Sequence, residues 1–169
     1  SRGRRTLKVI AEIETCYIPK KSTIPCIMFD GNKRSRSVEP QGLTKDGESW
    51  IFGYNRVSIP SCTITETKEV SAALFASVRD HDSIHSSCSF VENKDKSYRH
   101  RIFYPMTEAP LTYSGHNEYE PRYDEYLSIE PFGTFTAEFY IYIAVPYWEN
   151  YGTAPLLDRC LELFPFKHK

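Results

Sequence analysis

The chain has 169 residues, 40% hydrophobic and 14% aromatic, which is enough for one domain with a packed core and too short for two comfortable ones. No apolar run approaches the roughly 18 residues a spanning helix needs, so membrane insertion through a helix is excluded. The net charge is only −1 but unevenly placed: residues 1–36 hold nine Lys or Arg against three acids, and residues 108–130 hold six acids against Arg122 alone.

Ser1–Arg5 is a basic arm without apolar content, set apart from the single β-sandwich domain expected over 6–169. In Thr6–Tyr17, Leu7, Val9, Ala11, Ile13 and Tyr17 share one parity, with Lys8, Glu12 and Glu14 opposite, which predicts a first strand. The segment from Pro19 to Pro25 is expected to break it, and Cys26–Phe29 offers a short edge strand before Asp30 and Gly31 turn the chain. Asn32–Ser49 carries Lys33, Arg34, Arg36, Pro40, Gly42 and Gly47 and reads as a long exposed loop.

Trp50–Ile59 resumes the strand pattern, and after Pro60 it continues as Cys62–Thr67. Val70–Val78 suits a helix by its alanines and a strand by its alternation; a strand is the reading adopted. Ser86–Val91 and Tyr98–Tyr104 are short strands on either side of the turn-prone Glu92–Lys96, which predicts a hairpin. Pro105–Arg122 is irregular and Tyr-rich, and Tyr126–Ile129 offers a short pairing segment.

Gly133–Trp148 is the most legible stretch. Phe135, Ala137, Phe139, Ile141, Ile143 and Val145 fall on one parity, and Thr134, Thr136, Glu138, Tyr140 and Tyr142 on the other. Read as one strand to Val145, it would run roughly 40 Å. Its odd face then belongs in a core, and its Thr/Tyr face meets solvent or another subunit. A charge at Phe139 or Ile141 is accordingly expected to prevent folding, and one at Tyr140 or Tyr142 to spare folding while impairing assembly. Leu157–Phe164 closes the chain as a short helix or a last strand. The sum is an all-β fold: an antiparallel β-sandwich with long loops and little helix, for which a single jelly roll is the expected winding.

Motifs that carry chemistry are scarce. His81, His85 and Cys88 have a spacing that would meet around zinc if the segment curled, yet no second ligand pair stands at a matched distance, and a solvated turn is the simpler reading. Glu118, Glu120, Asp124 and Glu125 form an acidic loop that lacks the spacing and mid-loop glycine of a helix–loop–helix calcium site. There is no nucleophile elbow, phosphate-cradling glycine loop or cysteine-nucleophile signature. A non-enzymatic protein without cofactor or metal is expected. The five cysteines are odd in number and scattered, so a secreted disulfide framework is not expected either.

The basic arm is more informative. Arg2, Arg4 and Arg5 have no core to serve and remain available to phosphates, with Lys8 and, from the following loop, Lys33, Arg34 and Arg36 extending the patch. An ordinary solvated terminus is the competing reading.

This layout resembles the single-jelly-roll capsid proteins of very small viruses: circovirus-like and nanovirus-like single-stranded DNA viruses, and satellite viruses. The resemblance lies in the arginine-bearing lead into the first strand (Ser1–Ile10), the aromatic strand with a basic residue at Phe52–Ile59, and the long aromatic last strand at Phe135–Tyr147. It implies a subunit that assembles with copies of itself into an icosahedral shell, resides in the virion, packages viral DNA or RNA without sequence preference, and meets a host-cell receptor on its outer loops. It also implies subunit contacts through Tyr140, Tyr142, Tyr147 and Trp148. The alternative from another class is a β-sandwich binding module, carbohydrate-binding or host-targeting, that stacks ligands on Trp50, Tyr54, Tyr119, Tyr123 or Trp148. A small hydrolase or nuclease using His81, His85 or His100 has the least behind it.

Overall fold

The computed structural model describes residues 7–25, 51–77, 84–95, 97–109, 133–146 and 153–163. Within them the strands are β1 (Val9–Glu14), β2 (Lys21–Thr23), β3 (Phe52–Gly53), β4 (Thr63–Glu66), β5 (Ser71–Ala76), β6 (Ser87–Glu92), β7 (Tyr98–Tyr104) and β8 (Phe139–Ala144), and one helix, α1, spans Thr153–Leu163. They form two four-stranded sheets, sheet A in the order β1-β7-β6-β3 and sheet B in the order β2-β4-β5-β8. Every pairing is antiparallel. The fold is a mostly β sandwich, as the alternating segments imply.

β1 keeps the parity of its sequence. Val9, Ala11 and Ile13 turn inward against a cluster of Leu74, Ala76, Ile102 and Tyr104, while Glu12 and Glu14 point out. β5 explains its own ambiguity: all six of its residues are buried, because sheet A covers one face and α1 the other. A strand enclosed on both faces has no wet side to mark its period, so small and apolar residues fill both parities. The β6–β7 hairpin forms as predicted. Asn93 N–H donates to Ser97 O at 2.8 Å, and Asp95 Oδ1 accepts from the Ser97 N–H and hydroxyl at 3.0 and 2.6 Å.

Three elements differ from the sequence reading. The segment between Pro19 and Pro25 is not merely a break, since Lys21–Thr23 pairs with β4 as an edge strand. A short edge is where flanking prolines are tolerated, because no ladder partner needs their missing N–H. The strand expected over Trp50–Ile59 keeps only Phe52–Gly53 before a 3-10 turn at Tyr54–Arg56. The long strand shortens to Phe139–Ala144, because Phe135 and Ala137 leave the sheet B ladder and pack on the inner cluster instead. The short strand candidates Cys26–Phe29 and Tyr126–Ile129 lie outside the described residues.

α1 is the alternative to a last strand left open by the sequence. Pro155 sits in its first turn, where a missing N–H costs nothing. Leu156, Cys160 and Leu163, spaced i, i+4, i+7, lie on Ile59, Cys62, Ile64, Ala73 and Phe75, so sheet B is covered from outside as well as from within. The opposite side of the helix carries exposed Asp158, Arg159 and Glu162.

Candidate interaction surface

Packing of α1 on sheet B decides which way β8 faces. In the β5–β8 register, Ala73 stands opposite Tyr142 and Phe75 opposite Tyr140, while Leu74 stands opposite Ile141 and Ala72 opposite Ile143. Directly opposite residues share a face. Tyr140 and Tyr142 are therefore on the helix side, packed against the cluster beneath α1, and Phe75 stacks on Tyr140 with ring centroids 5.2 Å apart. The Tyr140 hydroxyl reaches Glu138 Oε1 at 2.5 Å, so the ring is covered and its polar tip is satisfied.

The odd face begins in the core and then emerges from it. Phe135 and Ala137 touch the inner cluster, whereas Phe139, Ile141, Ile143 and Val145 are 41%, 53%, 70% and 74% exposed. Sheet twist carries the edges of two packed sheets apart, and β1, the edge strand of sheet A on this side, leans over Leu74 and Ala76 rather than over β8. This corrects the sequence reading, in which the odd face belonged wholly to the core and the tyrosines formed the wet face. Phe139, Ile141, Ile143 and Val145 thus line the exposed side of β8, with Tyr140 and Tyr142 on its other face; Tyr147 and Trp148 lie outside the described residues.

Of the basic set, Lys8 is described: it is exposed, with its ammonium 5.9 Å from the centroid of the Phe103 ring. Arg2, Arg4, Arg5, Lys33, Arg34 and Arg36 fall outside the described residues. On sheet A, Arg101 is paired with Glu12, whereas the Arg99 Nε is buried without a hydrogen-bond partner among the described residues and Glu14 accepts from Asn93 Nδ2. Glu12 stands opposite Arg101 and Glu14 opposite Arg99, and Arg101 Nε donates to Glu12 Oε2 at 2.5 Å.

Comparison with protein-family models, curated proteins and solved structures finds no match. Function is therefore read from this chain's own residues.

The remaining polar groups serve the fold. His85 stacks flat on Tyr54 with centroids 4.1 Å apart, while Cys88 is buried with its thiol 3.8 Å from Cys62 O. Burial raises the Cys88 pKa far above the ordinary thiol range, which leaves it a small apolar filler. Among the described residues no group of three or more His, Cys, Asp or Glu is placed to hold a metal ion, and the histidine proposed as its partner, His81, lies outside them. The acidic loop of Glu118, Glu120, Asp124 and Glu125 and the aromatics Trp50, Tyr119 and Tyr123 also lie outside them.

His100, expected in a hydrolytic role on the weakest reading, is wholly buried between the sheets. Its Nδ1 lies 3.2 Å from Thr63 O and 2.9 Å from Thr63 Oγ1, and its Nε2 lies 3.0 Å from Thr65 Oγ1. A carbonyl only accepts, so Nδ1 carries the hydrogen and Nε2 accepts from the Thr65 hydroxyl. Thr65 Oγ1 in turn accepts from the Tyr17 hydroxyl at 2.9 Å. A chain of hydrogen bonds thus crosses from half-buried Tyr17 to the centre of the sandwich.

A part-buried ion pair, missed by the sequence reading, joins Arg56 to Glu108. Glu108, nearly inaccessible, accepts from Arg56 Nε at 2.5 Å and Nη2 at 3.3 Å, and from the Gly53 N–H at 3.3 Å. A Cβ at Gly53 would stand 2.8 Å from Met106 Sδ, 2.9 Å from Asn55 Oδ1 and 3.0 Å from Glu108 Oε1, so a larger residue there would have to displace these side chains. Residues 52 apart in sequence offer no periodic signal of pairing. Arg56→Ala is expected to lower the unfolding free energy by about 2 kcal/mol, by stranding a desolvated carboxylate. Urea denaturation checks it, and Arg56→Lys, which keeps the charge without the bidentate fork, should fall between the two.

Proposed function

We propose that this chain is the subunit of a self-assembling structural shell: a viral capsid protein whose β-sandwich forms the wall and whose basic arm holds nucleic acid. The observation that carries the reading is the apolar stripe Phe139–Val145, left exposed among the described residues, on a sandwich whose opening strand follows a basic arm. A folded subunit that leaves such a stripe open is built to be covered. The arm has the composition for phosphate neutralisation rather than for a core: Arg2, Arg4 and Arg5 run into Leu7 and Lys8 at the start of an edge strand.

The course of the chain also supports the jelly-roll reading in its first part. Taken in order, the described strands lie in sheets A, B, A, B, B, A, A, B, so the chain passes repeatedly between layers, as double-sheet rolls do. The β3–β6 and β4–β5 pairings bring together strands that such a winding places side by side. Virion location, a DNA or RNA cargo and a receptor on the outer loops follow from this reading. Against the binding-module alternative stands the position of Tyr54, the described member of its stacking set, which has one ring face already covered by His85.

The test is the particle state of the purified chain. Electron microscopy and light scattering are expected to find multi-subunit particles, with an absorbance ratio that reports co-purified nucleic acid. The triple variant Arg2→Ala, Arg4→Ala, Arg5→Ala should keep the particles and lose most of the cargo, with a weaker dependence on salt. A monomer over a wide range of salt, pH and concentration overturns the proposal.

A further inference from the structure

We infer that the β8 edge is a homotypic interface, in which a second copy of this chain lays its own β8 antiparallel against the first and joins two copies of sheet B into one. The inference deepens the self-assembly reading and rests on it for the identity of the partner. Three observations select a second copy as the occupant.

The first is the state of the edge. β8 closes sheet B among the described strands, and Phe139–Val145 contains no charge and no proline. Edges that remain single are blunted by lysine, proline or a bulge, because an open row of N–H and C=O groups templates another strand. This one is not blunted, and it is rich in β-branched and aromatic residues that suit pairing.

The second is self-complementarity. A two-fold axis sets a surface against itself, so any charge on it would face a like charge or its near neighbour. The stripe carries none, and an antiparallel partner strand sets Ile, Val and Phe beside Ile, Val and Phe.

The third is area. Four residues exposed by 41–74% present an apolar surface on the order of 400 Å², the size of the largest patch a monomer usually leaves open. A standard interface buries roughly 800 Å² on each partner, so the stripe alone supplies about half of one and the strand edge adds to it. Exposure increases steadily from Phe139 to Val145, which places the centre of the contact towards the end of β8.

The experiment compares the full-length wild type with Ile143→Asp and Val145→Asp by sedimentation over a wide concentration range, with circular dichroism for folding and amide hydrogen exchange for β8. Both positions are mostly exposed in the single chain, so both variants should fold and associate about tenfold or more weakly. If an Asp variant fails to fold, Ile143→Ser and Val145→Ser give the same reading at lower cost. In the associated wild type, the β8 amides that do not bond to β5 should be protected, and the variants should lose that protection. Wild type and variants that assemble alike overturn the interface and leave the self-assembly reading intact. Association with those amides unprotected overturns the strand pairing. A wild-type dimer that closes without forming particles supports the interface and removes the shell, whereas a strict wild-type monomer removes both.

Discussion

Phe75→Ala is expected to cost about 3–5 kcal/mol of unfolding free energy, read as a fall in the urea midpoint without a change in slope. Phe75 is buried in the middle of β5, beneath α1 and against Tyr140. Truncation leaves a cavity that neither the sheet nor the helix closes, because both are held by neighbours. Small domains have only about 5–15 kcal/mol in hand, so the variant should be close to unfolding at physiological temperature. The companion is Ile143→Ala on the paired strand, which removes a side chain that is 70% exposed and should change the stability of the single chain by under about 0.5 kcal/mol. Equal losses at the two positions would contradict the burial assigned to β8. Tyr142→Asp belongs with Phe75, since it sets a carboxylate under the helix, and Ile141→Asp belongs with Ile143; both reverse what the sequence periodicity alone predicts.

The second large effect is on pH. Desolvation lowers the His100 pKa from 6.5 to about 4, partly opposed by its hydrogen bond to Thr63. Between pH 6.5 and about 4 the unfolded chain binds a proton that the folded chain refuses, so stability rises with pH through this window. The contribution is fully present above 6.5 and falls by about 1.4 kcal/mol per pH unit below it, close to 3 kcal/mol in all. Urea titrations at several pH values should show this slope in the wild type. His100→Gln keeps a hydrogen-bonding side chain that does not titrate; it should be less stable at pH 7.5 and lose the extra acid sensitivity down to pH 5. Parallel pH profiles for the two proteins would rule out a neutral buried His100 as the source.

Much of the fold can be read from the residues themselves. β1, β6 and β7 follow the segments expected of them; β1 alternates along its length and β7 in its first part, with His100 and Ile102 inward and Arg99 and Arg101 outward, whereas β6 is buried on both parities. β8 shows where periodicity stops. It separates two faces without saying which is covered, and the answer lies with α1, about fifteen residues onward, whose Leu156, Cys160 and Leu163 claim the tyrosine side. The helical spacing of those three residues was the available signal. The Arg56–Glu108 pair and the His100 chain join positions far apart in sequence, and no local pattern announces them. The basic residues are legible by composition alone; of that set the described residues contain Lys8.

The hydrogen-bond chain from Tyr17 through Thr65 to His100 has one more consequence, for how the two sheets find their alignment. Apolar side chains slide over one another at little cost, but β7 reads Arg99, His100, Arg101, and a shift of one residue would exchange the imidazole for a guanidinium at the centre of the sandwich. Thr63 and Thr65 offer an acceptor and a donor at the spacing of the two ring nitrogens. The triplet thus works as a key whose teeth are two charges and whose notch is one neutral ring, and a pairing of β7 displaced by one residue is penalised by the charge it would bury.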